Sequence, residues 1–240
     1  MFRVGTPSRG ASLRILAHLQ AFVQTWRAGR ASRLSLGTVS IMEIAMQDRD
    51  PIMNHKLLTG LVAPRPIGWI STVGEDGVLN LAPYSFFNVV SSSPATLMFS
   101  GGRRDGVPKD SVINAVASGE FVANIASRTL MHEMNQTSIE SSLDHDEFAF
   151  AGLQAAASTR VKPPRVAAAP VAFECQVVHT FELPNSNTVV FGEVLVAHVD
   201  DALMLENGRV DTAALDPLAR LAGTAYATLG EILNVERPEP

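Results

Sequence analysis

The strongest strand signal in the chain is Pro66-Ile-Gly-Trp-Ile-Ser-Thr-Val73, which Gly74-Glu-Asp-Gly77 follows directly. The first segment is a short apolar run rich in β-forming residues, and Asp76-Gly77 is typical of a tight hairpin turn. This pattern predicts a strand over residues 66–73 and an antiparallel return over residues 78–82.

Similar segments recur along most of the chain beyond this hairpin. They cover residues 86–90, 95–100, 120–125, 171–183 and 188–199. The last two are joined by the turn-prone Pro184-Asn-Ser-Asn187, and residues 151–170, rich in Ala and Pro, are predicted as a long loop. Mostly antiparallel strands with a few inserted helices predict a mainly β fold, a closed or partly closed barrel.

Two helices are predicted between the strands. Apolar residues over 112–117 recur at helical spacing, with Asp110 or Ser111 as the N-cap and Gly119 just past the end. Residues 129–136 are predicted as a second, shorter helix.

Composition excludes several classes of protein. Of the 240 residues 46% are hydrophobic and 18% are charged, which is too apolar for a disordered chain. A single cysteine, Cys175, excludes an intrachain disulfide framework and a multi-thiolate zinc site. The net charge of −5 argues against nucleic acid as a partner, and no apolar run is long enough to span a membrane. We therefore expect a soluble, cytoplasmic protein.

Residues 1–42 differ from the rest of the chain in charge. They hold six arginines, eight Ser or Thr residues and no acid, and apolar side chains recur at helical spacing over residues 13–26. One hypothesis is an organelle transit peptide, and the other is a leader without function, translated upstream of a true start at Met42 or Met46. We set residues 1–45 apart as a basic leader, disordered or mis-started, and keep organelle targeting open.

Conventional catalytic motifs are absent from the sequence: it has no Gly-x-Ser-x-Gly, no His-Glu-x-x-His and no Walker-type glycine loop. His179 and His198 lie on predicted strands and are interpreted as structural residues, and Cys175 as a small buried apolar residue. Asp144-His-Asp-Glu147 has the composition of a metal cluster, but a solvated acidic loop is the simpler interpretation. We assign no catalytic side chain and no metal ligand.

Three segments combine polar groups with flat apolar side chains. Arg65-Pro-Ile-Gly-Trp-Ile-Ser-Thr72 ends in two hydroxyls, and Asn80-Leu-Ala-Pro-Tyr-Ser-Phe-Phe-Asn88 alternates small polar groups with aromatic rings. Lys109-Asp-Ser111 stands at a predicted helix start, where unpaired N–H groups and the helix dipole favour an anion. A flat heteroaromatic ring with a phosphate tail would use all three, although ordinary strands and an ordinary cap explain the composition equally well.

In this order, the three segments resemble the flavin reductase-like family of FMN-binding split barrels, in its flavoredoxin-like branch. Further motifs of that family follow along the chain. They are Gly119-Glu-Phe-Val-Ala-Asn124, Asp146-Glu-Phe148, Lys162-Pro-Pro-Arg165, Phe173-Glu-Cys175, Gly192-Glu-Val194 and Pro217-Leu-Ala-Arg220. The resemblance implies a Greek-key split β-barrel over residues 46–240, a homodimer, and FMN bound non-covalently near the subunit interface.

Transferred position by position, the resemblance implies nine flavin-contacting residues. They are Ser71, Thr72, Ser85, Phe86, Phe87, Asn88, Lys109, Asp110 and Ser111. Thr72, Lys109 and Ser111 would surround the phosphate, and residues 85–88 would hydrogen-bond the edge of the isoalloxazine ring. Arg220, with Tyr226, matches the family's C-terminal pattern without an assigned contact.

The resemblance implies a flavoprotein oxidoreductase that passes electrons through FMN to a small acceptor or partner protein, from a small-molecule donor such as NAD(P)H. Hydride transfer between stacked rings needs little acid–base help, so the missing catalytic motif is expected. Short two-component reductases of the family carry a Gly-Asp-His run where this chain has Asn185-Ser-Asn187, and this departure leaves the donor open. The alternatives are an FMN-binding or carrier protein without nicotinamide-dependent turnover, and an oligonucleotide-binding barrel, against which the acidic body argues.

Overall fold

The computed structural model describes residues 33–36, 39–139 and 145–239, and the chain divides into two units between His55 and Lys56. The first unit contains an antiparallel pair, β1 (Arg33–Leu36) and β2 (Val39–Met42), inside the stretch predicted as a leader. The apolar repeat predicted to be helical at residues 13–26 lies outside the described residues. A domain boundary at residue 45 stays a prediction.

The second unit is mainly β, and its strands pair only antiparallel within the described residues. In chain order they are β3 (Arg65–Pro66), β4 (Gly68–Val73), β5 (Leu79–Tyr84), β6 (Phe87–Ser92), β7 (Ala95–Gly101), β8 (Arg103–Arg104), β9 (Val107–Pro108), β10 (Glu120–Ile125), β11 (Ala155–Ala156), β12 (Arg165–Val166), β13 (Val171–Glu182), β14 (Thr188–Val199), β15 (Ala219–Arg220) and β16 (Tyr226–Ala227). Seven of them form one sheet in the order β5-β4-β10-β13-β14-β7-β6. All seven predicted strands are confirmed, and the predicted loop over residues 151–170 contains the short β11–β12 pair.

Helices are few and short. They are α1 (Pro51–Leu61), α2 (Asp110–Ser118), α3 (Met131–Gln136), α4 (Glu147–Phe150) and α5 (Thr212–Leu215), with 3₁₀ turns at Arg128–Leu130 and Asp201–Leu203. The second predicted helix is therefore a 3₁₀ turn that leads into α3. Within the described part of the chain, no helix is both long and apolar enough to cross a membrane.

Helix α2 ends as predicted but begins differently. Gly119 follows its last residue with φ of 74°, in the left-handed region that glycine adopts without strain. The predicted N-cap, Asp110 or Ser111, is wrong, because Lys109 is the extended N-cap residue and its side chain makes no capping hydrogen bond. The two polar side chains therefore lie inside the first helical turn.

Strand β4 has buried side chains on both of its faces, which explains why its sequence is an apolar run rather than a strict alternation. Ile70 belongs to a core cluster with Phe99 and Phe121, whereas Trp69 belongs to a second cluster with Met134. Successive side chains of a strand point to opposite faces, so the two hydroxyl residues that follow also lie on different sides.

Candidate functional site

The amino end of α2 borders a cavity of about 440 Å³. Strand β5, the turn between β8 and β9, α2 and the segment after α3 contribute to its walls. The polar residues of its lining include Asn80, Tyr84, Lys109, Asp110, Ser111 and Glu147. Three of the nine predicted site residues, Lys109 to Ser111, thus line one cavity.

Charged groups of both signs line this cavity, with Arg104 and Lys109 beside Asp105 and Asp110. The Lys109 side chain is exposed, and no side chain at the N-cap position occupies the first N–H groups of α2. Asp110 is half-buried: burial raises its pKa, while the positive charges of Arg104 and Lys109 partly oppose the rise. A helix start with a lysine beside it is an arrangement that binds anions.

The inner wall of the cavity is a buried hydrogen-bond network centred on Asn80. The Asn80 Oδ1 atom accepts from Thr72 Oγ1 at 3.2 Å and from Ser111 Oγ at 2.6 Å. Its Nδ2 donates to Glu147 Oε2 at 3.0 Å, and Asn114 Nδ2 donates to Thr72 Oγ1 at 3.3 Å. The structure therefore brings Thr72 and Ser111 together, with both hydroxyl protons given to Asn80. Their contact with a phosphate stays a prediction.

Glu147 corrects an expectation from the sequence. It was predicted to lie in a solvated acidic loop, but its side chain is buried and its Oε2 also accepts the main-chain N–H of Leu81 at 3.1 Å. The neighbouring Asp146 accepts the N–H of Ala149 and so caps α4. The acidic run therefore fixes strand β5 and begins a helix.

Tyr84 supplies a buried polar group that the sequence did not single out. Tyr84 lines the cavity, and its buried hydroxyl has no hydrogen-bond partner of good geometry among the residues that the structure describes. Burial raises the pKa of Tyr84 to about 12, and the hydroxyl of Ser111 offsets part of the rise. A buried hydroxyl without a well-formed hydrogen bond favours a bound acceptor nearby.

The predicted ring-edge residues lie at the beginning of β6, outside the cavity lining. The ring of Phe87 is buried in the core, where a side-chain carbon at Gly68 would lie 2.4 Å from it. The carbonyl of Phe86 accepts the N–H of Ser100 at 2.8 Å. Ser85 is half-buried and Asn88 is exposed, with its Oδ1 accepting the N–H of Val89 at 2.8 Å.

Ser71 lies apart from the other predicted residues. Its buried hydroxyl donates to the carbonyl of Pro164, in the loop between β11 and β12. Thr72, the next residue, points to α2 through Asn114. The two hydroxyls predicted as neighbouring contacts therefore serve opposite faces of the sheet, and the role of Ser71 at a flavin stays a prediction.

Cys175 and His198 have structural partners in the sheet. Cys175 is fully buried in the first core cluster, and burial raises the pKa of its thiol. His198 lies 2.6 Å from the Glu174 carboxylate, Nε2 to Oε1. His179 lies against the ring of Phe191, with centroids 5.9 Å apart.

Comparison with known proteins agrees with this architecture. A family model described as "Flavin reductase like domain" matches residues 61–214. A protein of Aquifex aeolicus is 41% identical over 77% of this chain and 94% of its own length. The crystal structure of nitrilotriacetate monooxygenase component B from Bacillus cereus superimposes with a TM-score of 0.79 at 32% identity, covering 82% of this chain and all of that one.

The fold is that of a split-barrel protein similar to the flavin reductase-like structures. Flavoredoxin of Desulfovibrio vulgaris shares the fold, with a TM-score of 0.64 at 24% identity over 72% of this chain and 91% of that one. The chain belongs to the flavin reductase-like family. The mainly β split-barrel fold and the family resemblance that the sequence motifs predicted are confirmed.

Proposed function

We propose that this chain is an FMN-dependent oxidoreductase, which takes electrons from a donor such as NAD(P)H and passes them through the flavin to a small acceptor or a partner protein. The observation that carries this proposal is the cavity at the start of α2, whose 440 Å³ lies in the range of small-molecule sites. Family membership supports the class of cofactor.

The phosphate end of the cofactor is assigned to the start of α2. Lys109 supplies a charge, the uncapped N–H groups supply directed donors, and Tyr84 supplies a buried hydroxyl. Three charge-assisted hydrogen bonds contribute roughly 5–9 kcal/mol, whereas association costs roughly 4–15 kcal/mol. The phosphate contacts alone therefore do not reach micromolar affinity, and contacts to the ring have to supply the rest.

The ring end is assigned to Ser85–Asn88, which begins immediately after the cavity residue Tyr84. Asn88 is exposed and Ser85 half-buried, so both side chains are accessible to a planar ligand on the sheet edge. Bound flavin would supply the hydride-accepting chemistry itself. The protein residues would then orient the ring and exclude water rather than transfer protons.

A second candidate, an FMN-binding or carrier protein without nicotinamide turnover, follows from the turn between β13 and β14. Asn185, with φ of 53°, and Asn187 occupy this turn in place of the histidine of the short reductases. Asn187 Nδ2 donates to Ser100 Oγ at 3.0 Å, so the side chain has a structural role. No imidazole at this turn is available to place a nicotinamide.

Two measurements on the purified full chain test the proposal. An absorbance band near 450 nm, or saturable uptake of added FMN at micromolar concentration, is expected. Anaerobic NADH or NADPH should then bleach the band of the oxidoreductase, whereas a yellow solution that persists identifies the carrier. A colourless protein that does not bind FMN at high concentration would overturn both candidates.

A further inference from the structure

Arg65 is a buried guanidinium whose partners are all neutral. Only 7% of its surface is exposed. It donates to the carbonyls of Thr59 at 2.5 Å, Val62 at 2.8 Å and Leu221 at 3.0 Å, and through Nε to Ser85 Oγ at 3.4 Å. A buried charge is costly unless an opposite charge compensates it, and none of these acceptors carries one.

A second guanidinium lies next to it. Arg220 pairs with Arg65 across the β15–β3 ladder. Burial lowers the pKa of Arg65, and the charge of Arg220 lowers it further. Arg220 itself donates to the carbonyl of Gly223 and lies over the ring of Tyr226, 4.4 Å from its centroid.

The described residues provide no anion for this pair. The ion pairs of Arg103, Arg128 and His198 involve neither residue, and neither Arg65 nor Arg220 makes an ion pair with a described residue. Two adjacent positive charges without a carboxylate create a local positive potential, which is strong because Arg65 lies away from water. Arg65 Nε donates to Ser85 Oγ, so this positive potential acts on the segment that begins at Ser85.

We propose that the Arg65–Arg220 pair holds the reduced flavin as its anion and so raises the reduction potential of the bound cofactor. This inference rests on the proposed function, in which Ser85 begins the segment along the ring edge. When a hydride adds to N5 of a flavin and no further proton binds, one negative charge remains over N1 and the C2 carbonyl. Positive charge near this locus stabilises the reduced form more than the neutral oxidised form. Arg65 and Arg220 are then positioning and tuning residues, not proton donors.

The test compares oxidised and reduced FMN on the same protein. Wild type, Arg65→Gln, Arg220→Gln and Arg220→Lys are titrated with oxidised FMN, and their midpoint potentials are measured with dithionite and a reference dye. For Arg220→Gln we expect the preference for reduced over oxidised FMN to fall about tenfold, which lowers the midpoint of a two-electron couple by about 30 mV. Arg220→Lys keeps the charge and should therefore keep the wild-type midpoint potential. A purely structural role would not make the potential depend on the charge at position 220.

Arg209→Gln is the matched control, because it removes one exposed arginine charge from the loop before α5. Its potential should equal that of wild type. Arg65→Gln loses contacts to three carbonyls, so Arg220→Gln carries the test if Arg65→Gln does not fold. Equal changes in the affinities for oxidised and reduced FMN in the Arg220 variant would overturn this inference and leave the proposed function intact. A wild-type protein that binds no FMN would overturn the proposed function as well.

Discussion

Lys109 combines exposure with a position at the uncapped start of α2, so its ammonium is free to meet an anion in the cavity. If this anion is the FMN phosphate, Lys109→Gln removes a charge-assisted hydrogen bond. We expect the dissociation constant for FMN to rise about tenfold, equivalent to about 1.4 kcal/mol. Quenching of flavin fluorescence during titration measures it.

The matched control for this variant is Lys162→Gln, which removes the same charge from an exposed lysine in the loop between β11 and β12. It should bind FMN as wild type does. Equal affinity losses in the two variants would show that net charge, rather than the position of Lys109, decides binding.

Replacing Tyr84 should affect the stability of the fold and the affinity for FMN differently. Its buried hydroxyl has no partner of good geometry among the described residues, so the folded protein gains little from it. Tyr84→Phe should leave the free energy of unfolding unchanged or raise it by up to about 1 kcal/mol, while weakening FMN binding about fivefold. Urea unfolding and fluorescence titration measure the two effects.

Tyr226→Phe provides the contrast for stability. The Tyr226 hydroxyl donates to Asn135 Oδ1 at 3.1 Å, so the same substitution there removes a formed hydrogen bond and should lower stability. If Tyr84→Phe destabilises the protein as much as Tyr226→Phe does, the Tyr84 hydroxyl has a structural partner and the cavity argument loses its support.

At the scale of elements, strand β13 holds the loop between β11 and β12 through a buried carboxylate. Glu174 is fully buried and accepts the N–H groups of Thr159 at 2.8 Å and Arg160 at 2.6 Å, in addition to its contact with His198. The hydroxyl of Thr159 donates to the same carboxylate at 3.1 Å. Burial alone would raise the pKa of Glu174, but these hydrogen bonds outweigh it and lower the pKa to about 2.

Acid should therefore release this loop. An unfolded carboxylate titrates near 4.5, above the folded value of about 2, so the stabilisation is complete above pH 4.5 and is lost as the pH falls toward 2. The contribution is of the order of 3 kcal/mol. Glu174→Gln should lower stability at pH 7 and flatten its fall between pH 5 and 3, measured by urea unfolding. Glu206→Gln, at an exposed position, should retain the wild-type slope.

The elements differ in how far their sequences determine them. The β4–β5 hairpin was predictable because its turn and its apolar run are local signals, and Gly119 marks the end of α2 for the same reason. The start of α2 was not, since Asp110 and Ser111 are both common N-caps and tertiary contact with Asn80 draws Ser111 into the helix. The burial of Glu147 depends on Asn80, 67 positions away, and a local pattern of acidic residues does not contain that information.

The candidate site was predictable only in part for a related reason. Family resemblance located Lys109–Ser111, which line the cavity. It did not separate Ser71 from Thr72, because their opposite orientations depend on which residues cover each face of β4. The position of Tyr84 in the cavity lining likewise depends on packing between β5 and α2.

At the scale of the whole molecule, the sheet ends in an edge that is unusually apolar. Strand β6 is the last in the sheet order, and its residues Val89 and Val90 are 67% and 50% exposed. Exposed apolar side chains on an open strand edge favour association with another chain. This supports the homodimer that the family resemblance predicts.

Val89→Lys tests whether this edge forms the dimer. We expect wild type to be dimeric at micromolar concentration and the variant to be monomeric, because a charged side chain at the centre of an apolar contact is costly to bury. Because the resemblance places FMN near the subunit interface, the monomer should also lose most of its affinity for FMN. Light scattering after size exclusion gives the mass, and the ratio of absorbance at 450 nm to that at 280 nm gives the flavin content.

Val116→Lys, at a half-exposed position of α2, introduces the same charge outside the edge and should stay dimeric. A Val89→Lys protein that remains dimeric would place the interface elsewhere, and a monomer with full flavin content would mean that one chain forms the whole site.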